Sequence, residues 1–190
     1  RGCTDVVKIF LENAGTCSID LNIKDNDGWT GFHSACFEGK SGVVKILIEN
    51  ATTLGIDINA KDDNGLTGFH QACDNDFEDL VNIFMKNAVT YRIDLNVKEN
   101  NGLTGFHLAC NNVCTELVNI FMENAATLIF DPTAKSNNGL TAFHIACLKG
   151  RSEVVEILIE NAATFGINFN DLMDLMFEVA MEIPALKEIH

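Results

Sequence analysis

The phrase Thr-Gly-Phe-His-x-Ala-Cys stands at 30–36, 67–73 and 104–110, and returns with Ala for Gly at 141–147. Its histidines, His33, His70, His107 and His144, are 37 residues apart at each step, as are the preceding glycines Gly28, Gly65, Gly102 and Gly139. A fixed period of roughly 20–50 residues means stacked supersecondary units, each packing mainly on its neighbours. Any role given to the His or the Cys must therefore hold in four copies at one phase.

A single unit, residues 25–61, is legible position by position. The polar stretch 25–28 ends in Gly28 and reads as a turn. Thr30 is a good N-cap, and Phe32, Ala35 and Cys36 share one face of a short helix behind it. Gly39 suits the left-handed residue that closes that helix. Val43, Val44, Leu47, Ile48, Ala51 and Leu54 then mark the buried face of a longer second helix, and 56–61 returns in extended form. In the second and third copies Asp76 and Val113 occupy the position of Gly39. A β-branched Val resists positive φ, so the loop at 111–113 is expected to differ, with Asn112 left-handed instead.

This unit resembles the ankyrin repeat, whose ordinary period is about 33 residues with Thr-Pro-Leu-His-x-Ala. The resemblance covers almost the whole chain. It implies an all-α helical solenoid with short hairpin turns, and full repeats at 25–61, 62–98, 99–135 and 136–170. An N-terminal half-repeat, 1–24, and a C-terminal partial repeat, 171–190, flank them in a single ankyrin-repeat domain, 1–190. Two departures stand out. Four extra residues after Asn50-Ala51 are expected to lengthen the second helix by one turn. The family's Pro is replaced by Gly31, Gly68, Gly105 and Ala142, which should weaken the first helices, because Pro is pre-organised at a first helical position and Gly is not. Both ends look cut: Val6, Val7, Ile9 and Phe10, like Leu172, Met173, Leu175 and Met176, fall where a full repeat would cover them. A piece of a longer array is the expected explanation.

His and Cys three apart raise zinc and catalysis. One pair supplies two of about four zinc ligands, and packed helices stand about 8–10 Å apart, too far for a neighbouring repeat to complete a tetrahedron. A nucleophile needs a base, an orienting group and an oxyanion site, which four identical buried pairs do not make. The resemblance implies that the His ties turn backbone and the Thr hydroxyl to the helix. Cys takes the place of a small buried Ala and packs as a small hydrophobe. No metal, cofactor or enzymatic activity is expected. Asn22, Asn59 and Asn96 lie in Asp-x-Asn and are read as bonding local backbone. Ankyrin proteins offer asparaginyl hydroxylation there as an alternative, which the shifted spacing disfavours.

The chain carries 13 basic and 27 acidic residues, a net charge of −14. That excludes a phosphate-binding face and favours a basic protein partner. No apolar run is long enough for membrane insertion. Seven cysteines without Cys-x-x-Cys point to an intracellular, cytoplasmic setting, with the nucleus also compatible. The sequon Asn50-Ala51-Thr52 is read as chance.

The resemblance implies a non-enzymatic scaffold binding another protein through a concave groove, or the regulatory segment of a larger enzyme, channel or ubiquitin-ligase adaptor. The variable positions that would line the groove are Asp27, Asn64, Asn101 and Asn138; Trp29, Leu66, Leu103 and Leu140; Phe37, Asp74, Asn111 and Leu148; and Glu38, Asn75, Asn112 and Lys149. Trp29 and Phe37 are the aromatic candidates for an anchor, the residue type that dominates interfaces. Trp29 is equally compatible with a turn-tip residue packed on its neighbours. Phe37 is expected to be partly exposed.

Overall fold

The computed structural model describes residues 2–17, 19–125 and 130–163. Among them are nine helices and no strand. After α1 (Gly2–Cys17), short and longer helices alternate: α2 (Gly31–Phe37) and α3 (Ser41–Leu54), α4 (Gly68–Asp74) and α5 (Glu78–Tyr91), α6 (Gly105–Asn111) and α7 (Thr115–Asn124), α8 (Ala142–Leu148) and α9 (Ser152–Asn161). The short helices pack on one another in order as one layer, and α1, α3, α5, α7 and α9 as a second. The expected segment at 171–190 lies outside the described residues.

The expected faces are the buried ones. Phe32, Ala35 and Cys36 of α2 and Val43, Val44, Ile48 and Ala51 of α3 are buried, with Leu47 and Leu54 packed at the margin. The residues added after Ala51 continue α3 to Leu54, where Gly55 closes it with φ +66°. Arg92 closes α5 at φ +54°. An L-residue there costs about 1–2 kcal/mol, so that turn is held by its surroundings. In α1, Leu11 and Ala14 are buried while Val6, Ile9 and Phe10 are exposed.

Aromatic rings carry the core across repeats. Phe32 and Phe69 both meet Phe84 edge-on, at 6.0 and 5.4 Å between centroids. Phe69 and Phe106 both meet Phe121, at 6.0 and 5.0 Å, and Phe106 also meets Phe130 at 5.3 Å. Each outer-helix Phe thus bridges two motif Phe rings from successive units.

The inter-helix loops bring one correction. Asp76 itself takes the left-handed role of Gly39, at φ +55°. The third loop does differ, but Asn112 is extended, φ −85° and ψ 178°, and not left-handed. That conformation turns its amide back onto the preceding unit, where Nδ2 donates to the Asp74 carbonyl at 2.9 Å and to Asp76 Oδ1 at 3.0 Å. These bonds serve the end of α4, while the Asn111 carbonyl at the end of α6 accepts from Arg151 Nε at 2.9 Å.

The glycines in the Pro position have a packing reason that the sequence did not reveal. A Cβ on Gly68 would stand 2.7 Å from Cys36 Sγ and 2.8 Å from a ring carbon of Phe32; one on Gly105 would stand 2.6 Å from Phe69 and 3.0 Å from Cys73 Sγ. The Cys that replaces a small Ala in one unit fills the space left by the missing side chain in the next. Gly31 has no such neighbour.

Gly68→Ala should therefore destabilise the chain by about 1–3 kcal/mol through overpacking. Adding Cys36→Ala should restore part of the loss, and urea unfolding of the four corners of this cycle measures the coupling. Strictly additive losses would show that the two positions do not share their space.

Candidate protein-binding groove

Each turn is built around one side chain. Asp25 Oδ1 accepts from the amides of Asp27 and Trp29, Asp62 Oδ1 from those of Asn64 and Leu66, and Glu99 Oε1 from those of Asn101 and Leu103. Ser136 Oγ accepts from Leu140 alone, at 3.2 Å. Adjacent tips are joined by backbone bonds: Asp63, Asn100 and Asn137 amides donate to the carbonyls of Asp27, Asn64 and Asn101 at 3.3, 3.0 and 2.9 Å. The candidate residues Asp27, Asn64, Asn101 and Asn138 are exposed at these tips.

Behind the tips, Trp29, Leu66, Leu103 and Leu140 are half-buried in a row. Trp29 packs its ring on Phe37 at 5.1 Å and donates Nε1–H to Asp62 Oδ2 at 3.1 Å, so it is fixed in place while still reaching solvent. Phe37 is 43% exposed. Asp74, Leu148, Glu38 and Lys149 are exposed, and Asn75 and Asn111 are half-buried. The Asn112 amide is spent on the contacts to Asp74 and Asp76, that of Asn75 donates to the Gln71 carbonyl and that of Asn101 to Glu99 Oε2. Along the row, aromatic surface at the first unit gives way to carboxylate and amide groups in the middle, then to Leu148 and Lys149.

The motif histidines of the first three units are committed on both nitrogens, whereas His144 is bonded at Nδ1 alone and its buried Nε2 has no partner. The amides of Thr30, Thr67, Thr104 and Thr141 donate to Nδ1 of His33, His70, His107 and His144 at 3.1, 3.1, 3.1 and 2.6 Å. An Nδ1 that accepts leaves the proton on Nε2, which donates forward to the carbonyls of Leu66, Leu103 and Leu140 at 3.1, 3.2 and 3.1 Å in the first three units. In those three rings no lone pair remains for a metal. Burial pushes the Cys36, Cys73 and Cys110 thiols well up, away from the thiolate a nucleophile needs. Among the described residues, the grouping with metal-ligand geometry is elsewhere: Glu78, Cys114 and Glu116 on the surface.

Two sets of linkages were not anticipated. Asn22 and Asn59 do not bond local backbone through their side chains. They bridge to the next unit, Asn22 with Gly55 O and Asp57 N, Asn59 with Arg92 O and Asp94 N, and Asn96 Oδ1 accepts from Asp131 N. The local bond is made by the Asp of the same motif, as in Asp20 Oδ1 with the Asn22 amide. Lys24, Lys61 and Lys98 each donate Nζ–H to the carbonyl of the Lys one unit on, at 2.7, 2.8 and 2.7 Å. The signal was present in the sequence as Lys at every step of 37, ending at Lys135.

Burial is the first cause that holds His70 and His107 below the ordinary histidine range and lowers His144 to about 4. A second proton on Nδ1 would also face the Thr amide donor. In the unfolded chain these rings take a proton near pH 6.5, so their contribution is complete above that pH and is lost as pH falls toward about 4. Asp74, raised by burial and by Asp76, acts in the opposite direction. Urea midpoints should fall steadily from pH 6.5 to 4.5. A flat or rising midpoint would count against neutral, committed histidines.

A family model described as ankyrin repeats (3 copies) matches residues 1–94 and again residues 69–171. No curated protein sequence matches the chain at a significant level. Among the described residues no helix is long and apolar enough to cross a membrane. The in-phase motif, the two-layer helix stack and a family match across most of its length agree: this chain belongs to the ankyrin-repeat family.

Proposed function

We propose that the chain is a non-enzymatic interaction module that holds a partner protein in the groove between turn tips and short helices. Ankyrin repeats are general protein–protein interaction modules. The observation that carries the reading here is the Trp29–Phe37 pair. Two large rings, 5.1 Å apart, stand half-buried and exposed at one end of a line that is otherwise amide, carboxylate and Leu. Trp29 is held by Asp62, so it presents area without the entropy loss of ordering a free side chain. The candidate positions, which vary between units, are all at least partly exposed, and Thr, Phe, His and Ala of the repeated motif are largely taken up by the stack. The net charge of −14 favours a basic partner. Work inside the cell, where thiols stay reduced, suits the free Cys36, Cys73, Cys110, Cys114 and Cys147.

Affinity capture by the intact chain, run beside Trp29→Ala, Phe37→Ala and the outer-face control Glu12→Gln, tests the reading. Phe37→Ala should weaken a captured partner by more than about 1 kcal/mol in a direct titration. Its melting temperature should stay near that of the parent. Unaltered binding with a large loss of stability would assign Phe37 to the core and remove the groove's anchor.

A further inference from the structure

The acidity of the chain is not spread evenly over its groove. The stretch that forms a turn tip and a short helix recurs at 24–40, 61–77, 98–114 and 135–151, and its net charge runs −1, −3, 0 and +3. The whole chain carries −14, so nearly all of the excess negative charge lies outside these stretches. Replacements in register make the gradient. The turn acids Asp25, Asp62 and Glu99 give way to Ser136, and Glu38 gives way through Asn75 and Asn112 to Lys149. The stack does not explain the change: Ser136 Oγ still accepts from the Leu140 amide, and α8 spans seven residues as α2 does.

The cations of the fourth unit carry no internal counter-charge. Lys135 and Lys149 are exposed, and Arg151 is half-buried with Nε on the Asn111 carbonyl at 2.9 Å, which fixes its guanidinium beside the end of α6. Among the described residues the ion pairs are Lys40–Glu38 and Lys45–Glu49. The next acid in sequence, Glu153 in the first turn of α9, therefore does not pair with Arg151. Lys135 and Lys149 flank α8, a helix of seven residues and about 10 Å. Burial first, and then the Lys135 charge, lower His144, so this ammonium is close to the short helix. His144 is 7% exposed, and its Nε2–H is a buried donor with no acceptor. Three cations and a spare donor, with no carboxylate between residues 135 and 151, match an anionic group rich in acceptors.

We propose that the groove binds a partner segment in one register, with a stretch of partner carboxylates over Lys135, Lys149 and Arg151 of the fourth unit and an apolar side chain of the same segment on Trp29 and Phe37 of the first. The proposal rests on the groove reading above. The negative second unit repels the same carboxylates, which excludes the shifted registers. The spacing follows from the stack. Three unit steps separate the two ends, and neighbouring helices stand about 8–10 Å apart. An extended chain covers about 3.3 Å per residue, so about seven to nine residues separate the apolar anchor from the carboxylates.

The test uses the 190-residue chain and two synthetic ten-residue peptides of identical composition. Both begin with Trp. In the far peptide six serines precede three glutamates, and in the near peptide the three glutamates follow Trp directly. Net charge and apolar content are the same, so only placement differs. Affinity is followed by amide chemical shifts at low and physiological salt. The far peptide should bind about fivefold tighter than the near one at low salt, with the difference shrinking as salt rises. Lys135→Gln/Lys149→Gln should erase the difference, while the charge-matched long-helix variant Lys45→Gln/Lys86→Gln should keep it. Phe37→Ala should weaken both peptides. Equal affinity of the two peptides overturns the proposal, as does tighter binding of the near peptide. A difference that survives Lys135→Gln/Lys149→Gln overturns it too, because placement would then be read elsewhere. If the peptides perturb Trp29 and Phe37 without a difference in affinity, only the fixed register falls. If neither perturbs them, the groove reading falls as well.

Discussion

The motif histidines of the first three units each fasten two turns at once. Nδ1 accepts from the Thr amide of its own turn, and Nε2–H donates to a Leu carbonyl 33 residues on, in the first three units. The ring is buried, so neither bond competes with water, and the loss of either would leave a buried polar group unpaired. This is why the residue has to be a neutral His. Asn or Gln would not span the same distance with an acceptor at one end and a donor at the other in a rigid plane. The Asn bridges, the Lys ladder and the backbone bonds between tips repeat the same device in more exposed positions. Stability therefore resides in interfaces between units, as expected for a quasi-one-dimensional stack.

That arrangement decides which residues remain available. Thr, Phe, His, Ala and Cys of the motif are consumed by the stack, and the carboxylates of Asp62 and Glu99 by their turns. What is left to vary is a strip of tips and short-helix ends. Chemistry along this strip is uneven. Trp29 and Phe37 give apolar area at the first unit, and Asp74, Asp76, Glu78 and Asp79 concentrate negative charge at the second. The scaffold is periodic and the strip is not, which is the condition for a specific partner to bind in one register.

Much of this was legible from the period of 37. Four copies in phase made the His and Cys structural before any distance was known, and the 3.6-residue spacing of Val43, Val44, Ile48 and Ala51 picked the buried face of α3. Short-range patterns located the turns and caps, because those depend on residues within a few positions. What escaped was contact between units. The pairing of Gly68 with Cys36 joins residues 32 apart, and the amide of Asn112 reaches back 36 residues to Asp76. Nothing in local propensity reports such distances, so Asn112 was expected to close its own helix and the glycines to weaken theirs. The candidate strip was placed by which positions vary, and its members are all at least partly exposed.

The central claim is that one imidazole holds two successive turns. Residue-resolved hydrogen exchange on His107→Ala tests it most directly. The account predicts faster exchange in the turn before Thr104 and also in the turn at 136–140, whose Leu140 carbonyl has lost its donor, with the unit carrying His33 unchanged. The loss should be on the order of 1–3 kcal/mol at both places. Faster exchange confined to the turn before Thr104 would mean that the histidine serves its own helix alone, and the inter-unit account would be wrong.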